Sequence, residues 1–192
     1  MGSCNYTTDD DKEEHRFFLN IGSFGMGGLV VRLANEGPKF IGAKGTFLLG
    51  VARSVLKYRN SRVQMSVNGA NVGSRTVRLV GVSNGQFFGG GMKAAPSARL
   101  DDGIFDVVSL GDVPLSRLVR LIGRVYKGAH VSDPDVDFMY GSSVEARPDD
   151  GQVDPVLVEL DGEGVGKLPA RFELLEKRIQ LIFPADAPIE NS

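Results

Sequence analysis

The chain has 192 residues, of which 42% are hydrophobic and 24% are charged, which fits one globular domain, or at most two. Its net charge of −2 argues against nucleic acid as a partner. A single cysteine, Cys4, excludes an internal disulfide framework and fits a reducing, cytoplasmic compartment. No run of about 18 apolar residues predicts a transmembrane helix, and the polar N-terminus does not predict a signal peptide.

The N-terminal segment, residues 1–15, is acidic and poor in apolar side chains, a composition typical of disorder. It predicts a disordered acidic leader that carries Cys4 as an exposed thiol. We expect the folded domain to occupy residues 16–185 and a short polar tail to occupy residues 186–192.

The first half of the domain alternates between strand and helix patterns. Alternating apolar residues predict a strand over residues 16–21, and a glycine-rich loop and a short helix over residues 29–34 follow it. Apolar residues at helical spacing then predict an amphipathic helix over residues 46–58. The period changes to two at residues 63–67, which predicts the first of several strands that continue to residue 83.

The second half repeats these patterns. An apolar stripe predicts a second substantial helix over residues 114–126, with basic residues on its other faces. Further strands are predicted at residues 143–147, 156–160, 170–175 and 178–183, with a hairpin at Glu176-Lys177. Strands joined by turns favour an antiparallel sheet. The sequence therefore predicts a mainly β (α+β) fold, an antiparallel β-sandwich with two substantial helices.

A glycine-rich segment, residues 84–108, combines three features. Asn84-Gly85 is typical of a hairpin turn between residues 80–83 and 87–88. Three glycines at 89–91 follow, and then Asp101-Asp102-Gly103, which places two carboxylates side by side on a loop. Such a loop can hold Mg²⁺ or Ca²⁺, but acidic turn residues are common, and the residues alone favour a plain hairpin.

A second acidic turn, Leu160-Asp161-Gly162-Glu163, follows a predicted strand. Paired acids at the end of a strand can act as a general base if burial raises the pKa of one of them. Asp-Gly is also an ordinary turn sequence, and the residues alone favour that interpretation.

Taken together, the two motifs carry a resemblance to a known family. The segment from Asn84 to Val107 fits the pattern N-G-x-x-x-G-G-G-x-x-x-x-P-x-A-x-x-D-D-G-x-x-D-V, and Leu160-Asp161-Gly162-Glu163 follows it in the expected order. The chain resembles the C-terminal domain of the diacylglycerol kinase-type lipid kinases, which include soluble bacterial diacylglycerol kinases and sphingosine and ceramide kinases. The resemblance covers nearly all of the chain and implies the C-terminal domain of the NAD kinase/diacylglycerol kinase-like fold.

The resemblance implies roles for the acidic residues. Glu163 matches the proton acceptor for the lipid hydroxyl, and Asp161 is an alternative base or a partner that orients it. A structural Mg²⁺ is implied at the Asp-Asp-Gly loop. Its ligands would be the Asp102 carboxylate and the backbone carbonyls of Arg99 and Ile104.

The resemblance also implies a cleft between two domains. Asn20 and Ser23 lie on a loop similar to one that the family places near this cleft. At Asn84-Gly85, where the glycine-rich segment begins, the resemblance implies a functional bend instead of a hairpin. All three are expected to face substrate or the partner domain, although glycines in such loops also serve simply to make a tight turn. His15 and His130 have no Cys or His neighbours at metal-ligand spacing, and both are interpreted as incidental.

In this family an N-terminal nucleotide-binding domain with a Gly-Gly-Asp-Gly-Thr signature binds ATP. Neither that signature nor a P-loop occurs in this sequence. We therefore expect an isolated C-terminal domain, produced by truncation, proteolysis or a split gene, that is inactive without the ATP-binding domain.

The expected partners are a lipid substrate, the N-terminal nucleotide-binding domain and, in one further hypothesis, a second copy of the chain. The basic face of the helix at residues 114–126 suggests peripheral membrane contact, although solvated charge is the ordinary interpretation. Two alternatives stay open: a NAD kinase relative, and a non-catalytic β domain that binds lipid or protein.

Overall fold

The computed structural model describes residues 1–37 and 42–175, and its main feature is one curled antiparallel sheet of eleven strands. Nine strands follow the spatial order β10-β9-β6-β3-β12-β13-β11-β4-β5, β1 pairs with β13 and β2, and β7 and β8 form a separate hairpin. The elements are β1 (Gly2–Thr7), β2 (Glu13–Phe18), β3 (Ile21–Gly25), α1 (Met26–Asn35), α2 (Gly42–Lys57), β4 (Ser61–Val67), β5 (Ala70–Val77), β6 (Leu79–Ser83), β7 (Phe87–Phe88), β8 (Met92–Lys93), β9 (Phe105–Leu110), α3 (Leu115–Val125), β10 (Val136–Gly141), β11 (Ser143–Pro148), β12 (Leu157–Leu160) and β13 (Glu163–Leu174).

Alternation along the strands builds the main core. In β4, for example, Val63, Met65 and Val67 are buried and the residues between them are more exposed, as the period of two predicts. The inward side chains of the curled sheet form one cluster whose largest members are Phe18, Phe24, Phe105 and Phe172. This packing confirms the prediction of a mainly β, sandwich-like fold.

The helices cover the opposite face of one part of the sheet. Leu118 and Leu121 of α3 pack with Leu110 and Val136 of β9 and β10 in a second apolar cluster. The predicted helices at 46–58 and 114–126 are confirmed as α2 and α3. The short helix at 29–34 is longer than predicted, because α1 begins at Met26, directly after Gly25 at φ 100°. The described part of the chain therefore has the short helix and the two substantial helices that the sequence predicted.

The prediction of a disordered leader at residues 1–15 is wrong. β1 lies between β13 and β2 in the sheet, and Cys4 and Tyr6 are 0% and 2% exposed in the main core. Cys4 is thus not an exposed thiol, and its burial raises the pKa of the thiol to about 12. The acidic residues that suggested disorder lie in the turn between β1 and β2 and on the exposed edge strand β2. The average composition of residues 1–15 therefore gave no sign that β1 is buried.

Two strand predictions need correction. The predicted strand at residues 16–21 is broken, because β2 ends at Phe18 and β3 begins at Ile21. Asn84-Gly85 does not join a hairpin, since β6 pairs with β3 and β9 whereas β7 pairs with β8. The predicted strand at 178–183, the hairpin at 176–177 and the tail lie outside the described residues.

Candidate functional site: an apolar cavity beside a polar notch

An apolar cavity of about 110 Å³ lies between the sheet and the three helices. The sheet presents the side chains that alternate with those of the main core. Ser23, Gly81 and Val108 are cross-strand neighbours on β3, β6 and β9, and all three line the cavity. Most of the remaining wall is aliphatic or aromatic: Ile21, Met26, Val30, Phe47, Val51, Leu79, Phe88, Met92, Leu110, Leu118, Leu121, Ile122, Val125 and Val136.

Gly81 leaves part of this space open. A Cβ placed on Gly81 would make only ordinary contacts, the nearest at 3.4 Å from Ile21 Cδ1. The absence of a side chain at the centre of β6 therefore provides room that a ligand can occupy.

A polar notch of about 500 Å³ adjoins this cavity. Ile21, Phe47 and Phe88 line both spaces, so the two share a wall. Asn20, Gly89, Asp161 and Gly162 add polar and backbone groups to the notch. A ligand with an apolar part and a polar end would match this pair of spaces.

The glycine run at 89–91 shapes the shared wall. All three glycines have positive φ, at 43°, 78° and 99°, a conformation that L side chains rarely adopt. A Cβ on Gly89 would also overlap the ring of Phe47. The run thus lets the backbone turn tightly beside Phe88, which contributes to both spaces.

Asp161 fixes the floor of the notch. Its Oδ2 accepts a hydrogen bond from the backbone N–H of Leu19 at 2.6 Å, and its Oδ1 accepts from Asn20 and Ile21 at 3.0 and 2.9 Å. Asp161 itself has φ 48° and Gly162 has φ 86°. This carboxylate accounts for the break between β2 and β3. It accepts hydrogen bonds from the backbone N–H groups of Leu19, Asn20 and Ile21, which in a continuous strand would bond to a neighbouring strand.

The bend at Asn84 is tied to the same loop. Its Nδ2 donates to the Leu19 carbonyl at 2.6 Å, and the backbone N–H groups of Asn84 and Gly85 both donate to the Asn20 carbonyl at 2.9 Å. Asn20 Nδ2 in turn donates to the Phe87 carbonyl at 2.6 Å. The structure therefore joins the predicted residues Asn20 and Asn84 by hydrogen bonds, but only Asn20 lines the notch, whereas Asn84 is buried behind it.

Sequence reasoning missed Glu159, a fully buried carboxyl under the turn. Its Oε1 accepts from Ser23 Oγ at 2.7 Å, and its Oε2 accepts from the Gly162 N–H at 2.9 Å. Burial, only partly offset by these two bonds, raises the pKa of Glu159 to about 7. The only sign of it in the sequence was a glutamate inside the apolar strand pattern of residues 156–160. Ser23 thus faces a buried carboxyl and the apolar cavity.

Glu163 lies on the surface at the start of β13. Its Oε2 is 2.9 Å from Arg16 Nη1, and both side chains are more than half exposed. Glu163 lines neither the notch nor the apolar cavity. Its predicted role as a base stays a prediction.

The Asp-Asp-Gly loop is also separate from the two spaces. Asp102 Oδ1 accepts from the Ile104 N–H at 3.0 Å, and Arg99 pairs with Asp101 at 3.3 Å. Among residues 1–37 and 42–175 there is no cluster of three His, Cys, Asp or Glu side chains able to hold a metal. The Mg²⁺ site at Asp102, Arg99 and Ile104 therefore stays a prediction.

Next to this loop, Asp106 is a buried carboxyl that accepts from Ser97 Oγ at 2.8 Å. Its burial raises the pKa of the carboxyl. Asp102 and Glu163 do not share either space, so the structure does not bring the two predicted acidic tips together in one cavity.

Comparison with known proteins is consistent with this geometry. Residues 20–183 match the family described as the YegS C-terminal NAD kinase beta sandwich-like domain. The chain belongs to this family. This match confirms the resemblance to the C-terminal domain of these kinases that the two acidic motifs indicated.

Individual relatives carry kinase names. Diacylglycerol kinases of Staphylococcus epidermidis and of Bacillus subtilis strain 168 are each 26% identical, over 183 and 176 residues, covering 93% and 89% of this chain and 55% of each relative. A solved diacylglycerol kinase from Bacillus anthracis str. Sterne has a TM-score of 0.53 at 16% identity, covering 92% of this chain and 51% of that one. The chain spans about half the length of the curated relatives that it matches.

Proposed function

We propose that this domain forms the lipid-binding half of an ATP-dependent lipid kinase that phosphorylates the hydroxyl of a diacylglycerol- or sphingosine-like lipid. The observation that carries the proposal is the apolar cavity that shares a wall with a polar notch. The acyl or alkyl chain would occupy the cavity, and the hydroxyl end would lie in the notch near Asp161 and Gly162. The kinase names of the relatives support the same reaction class.

The lining of the cavity favours a lipid over a dinucleotide. A dinucleotide brings charged phosphates and several hydroxyl groups, which lose hydration in an apolar cavity without compensation. A hydrocarbon chain gains about 25 cal/mol for each Å² of apolar surface that it buries.

Of the two candidate bases, Glu163 fits better than Asp161. Three backbone N–H groups already bind the Asp161 carboxylate, so its oxygens hold the loop instead of facing a substrate. Glu163 is exposed, and its carboxylate pairs with Arg16. We assign Asp161 to positioning. Glu163 does not line the notch but follows its residue Gly162 in the chain, and we propose that it accepts the proton of the lipid hydroxyl at the edge of the notch once the two domains close.

The partner in this proposal is an N-terminal nucleotide-binding domain. ATP bound there would supply the phosphoryl group, and Mg²⁺ at Asp102, with the carbonyls of Arg99 and Ile104, would stabilise the acidic loop. The chain by itself would bind lipid without phosphorylating it.

Membrane contact fits the outer face of α3. No helix in the described ranges is long and apolar enough to cross a membrane. Val119 is 62% exposed, and Leu115 and Tyr126 are also exposed beside the cations Arg120 and Lys127. Apolar and basic side chains on one exposed face suit peripheral binding to anionic lipid. We therefore place the protein in the cytoplasm, at the membrane surface.

A cavity-filling substitution tests the proposed function. In Gly81→Val the new side chain would enter the apolar cavity, and we expect calorimetric titration with dioctanoylglycerol to show binding at least about tenfold weaker than wild type. Gly123→Val is the matched control, because Gly123 lies on the exposed face of α3 and a Cβ placed on it would have nothing within 4 Å. If both variants bound dioctanoylglycerol with equal affinity, the apolar cavity would not be where the acyl chains bind. Binding of NAD in place of the lipid would favour the dinucleotide alternative.

A further inference from the structure

The apolar cavity is too small for the chain of the proposed lipid. Its volume is about 110 Å³, whereas an apolar protein cavity of about 150 Å³ holds one molecule of benzene. An acyl chain of eight or more carbons is larger than benzene, and a protein interior is packed too densely to make room by compression. Part of the wall must therefore move when such a chain binds.

Most of the wall is held on several sides. The strands β3, β6 and β9 each lie between two paired neighbours in the main sheet. The helix α1 packs against α2, and α3 packs on β9 and β10. The β7–β8 hairpin, by contrast, pairs with none of the described strands of the main sheet. It is therefore the wall element that can move without breaking the sheet.

This hairpin has an inner and an outer face. Phe88 and Met92 are cross-strand partners, and both line the apolar cavity. Phe87 and Lys93 form the next pair on the outer face, where Phe87 is 54% exposed and Lys93 Nζ lies 5.9 Å from the centroid of its ring. Phe88 also lines the notch. The inner face of the hairpin thus lies on the route between the notch and the cavity.

The hairpin is attached at its base and by one bond from the neighbouring loop. At the base, the Ala95 N–H donates to the Gln86 carbonyl at 3.2 Å. Asn20 Nδ2 donates to the Phe87 carbonyl at 2.6 Å and so ties β7 to the loop before β3. This second bond is exposed, so water can replace it when it breaks, and no buried polar group is left unsatisfied.

We propose that the β7–β8 hairpin is a gate that pivots at Gln86 and Ala95, with Asn20 as its latch. In the closed position Phe88 and Met92 complete the wall of the cavity. When the gate opens, the cavity and the notch join into one space that admits a lipid chain. The inference rests on the proposed function, because the size of a lipid chain is what makes the movement necessary.

The rate of cysteine alkylation measures the opening of the gate. Met92→Cys places a thiol on the inner face of the hairpin, and Leu110→Cys places one on β9 in the wall of the same cavity; both native side chains are 8% exposed. Cys4, which is 0% exposed, reports unfolding of the whole domain. We expect iodoacetamide to label Met92→Cys at least about tenfold faster than Leu110→Cys, because opening the hairpin costs less free energy than opening the sheet.

The latch is tested in the same assay. Asn20→Ala should speed the labelling of Met92→Cys by about three- to tenfold, the effect of losing one hydrogen bond, and should leave Leu110→Cys unchanged. Asn5→Ala, on an exposed position of β1, is the matched control and should change neither rate. If Met92→Cys fails to fold, Phe88→Cys on the same face of the hairpin provides the comparison.

A lipid connects the gate to the cavity. Dioctanoylglycerol should slow the labelling of Met92→Cys, because a bound chain covers the thiol. Equal labelling of Met92→Cys and Leu110→Cys, or no effect of Asn20→Ala, would refute the gate and leave the lipid cavity standing. Fast labelling that saturating dioctanoylglycerol does not slow would instead overturn the proposed function, even though the hairpin opens.

Discussion

Replacing Asp161 tests how the acidic turn holds the notch. The carboxylate accepts three backbone hydrogen bonds, from Leu19, Asn20 and Ile21. A hydrogen bond to a charged group contributes about 1.5–3 kcal/mol when buried, but the bonds to Leu19 and Asn20 are exposed. We count about 0.5–1 kcal/mol for each of these two and about 1.5 kcal/mol for the partly buried bond to Ile21.

The expected loss for Asp161→Ala is therefore roughly 3 kcal/mol. Part of any further loss would come from φ 48°, which alanine adopts less readily than glycine. Asp161→Gly separates the two effects, since it removes the same bonds without the backbone strain, and it should be about 1 kcal/mol more stable than Asp161→Ala. Asp161→Asn keeps one acceptor oxygen and should lie between these variants and wild type.

Urea unfolding of each variant gives the free energy of unfolding, with an unchanged slope as the sign that the folded state stays intact. Glu163→Ala is the matched control from the same turn, and loss of its exposed pair with Arg16 should cost less than about 1 kcal/mol. If Asp161→Ala were within about 0.5 kcal/mol of wild type, the three hydrogen bonds would not anchor the loop.

Three further predictions concern the remaining acids and the thiol. Burial raises the pKa of Glu159 from 4.5 to about 7, so the folded state binds more protons than the unfolded state between these values, and its stability falls as pH rises through them. Glu159→Gln should remove that pH dependence and gain up to roughly 3 kcal/mol on wild type at pH 8, as urea titrations at several pH values would show; parallel curves would contradict the assignment. Glu163→Gln in the complete enzyme should lose most turnover while ATP binding survives, and wild-type rates would remove its role as base. Cys4, with its thiol pKa raised to about 12 by burial, should react with a thiol reagent only on unfolding, so rapid labelling of the folded chain would contradict the placement of β1.

Local pattern was sufficient for much of the fold. The helices α2 and α3 follow from apolar residues at helical spacing, and β4 follows from the alternation of Val63, Met65 and Val67. Each of these elements buries one face, so the spacing of its own apolar residues indicates the element type. The two acidic motifs were sufficient to place the chain in its family.

Elements that depend on distant residues were not predictable in this way. β1 is stabilised by pairing with β13, and the acidic residues around it gave no sign of that partner. The break before Ile21 depends on Asp161, which lies 140 positions away. Neither contact can be inferred from the pattern of a short stretch of sequence.

The site shows the same division. Asn20, Asn84 and Asp161 were chosen from motifs. The structure places Asn20 and Asp161 at the notch, and Asn84 is bonded to the Asn20 carbonyl behind it. Glu159 was missed and His130 was interpreted as incidental, because a single glutamate in a strand and a single histidine in a loop have no distinctive spacing. Only the folded structure shows that both are buried, His130 in the wall of the apolar cavity and Glu159 bonded to Ser23, which lines that cavity.

The pairing of β1 with β13 has a consequence for biosynthesis. Ser3 and Glu173 are neighbours in the sheet although 170 positions separate them in the chain. Contacts of such long range form slowly, and a strand without its partner exposes an edge that other chains can pair with. β1 leaves the ribosome long before β13 exists, so the nascent chain must carry an incomplete sheet until nearly all of these residues have been translated. Its yield in cells should accordingly depend on chaperones and on expression temperature more strongly than its final stability suggests.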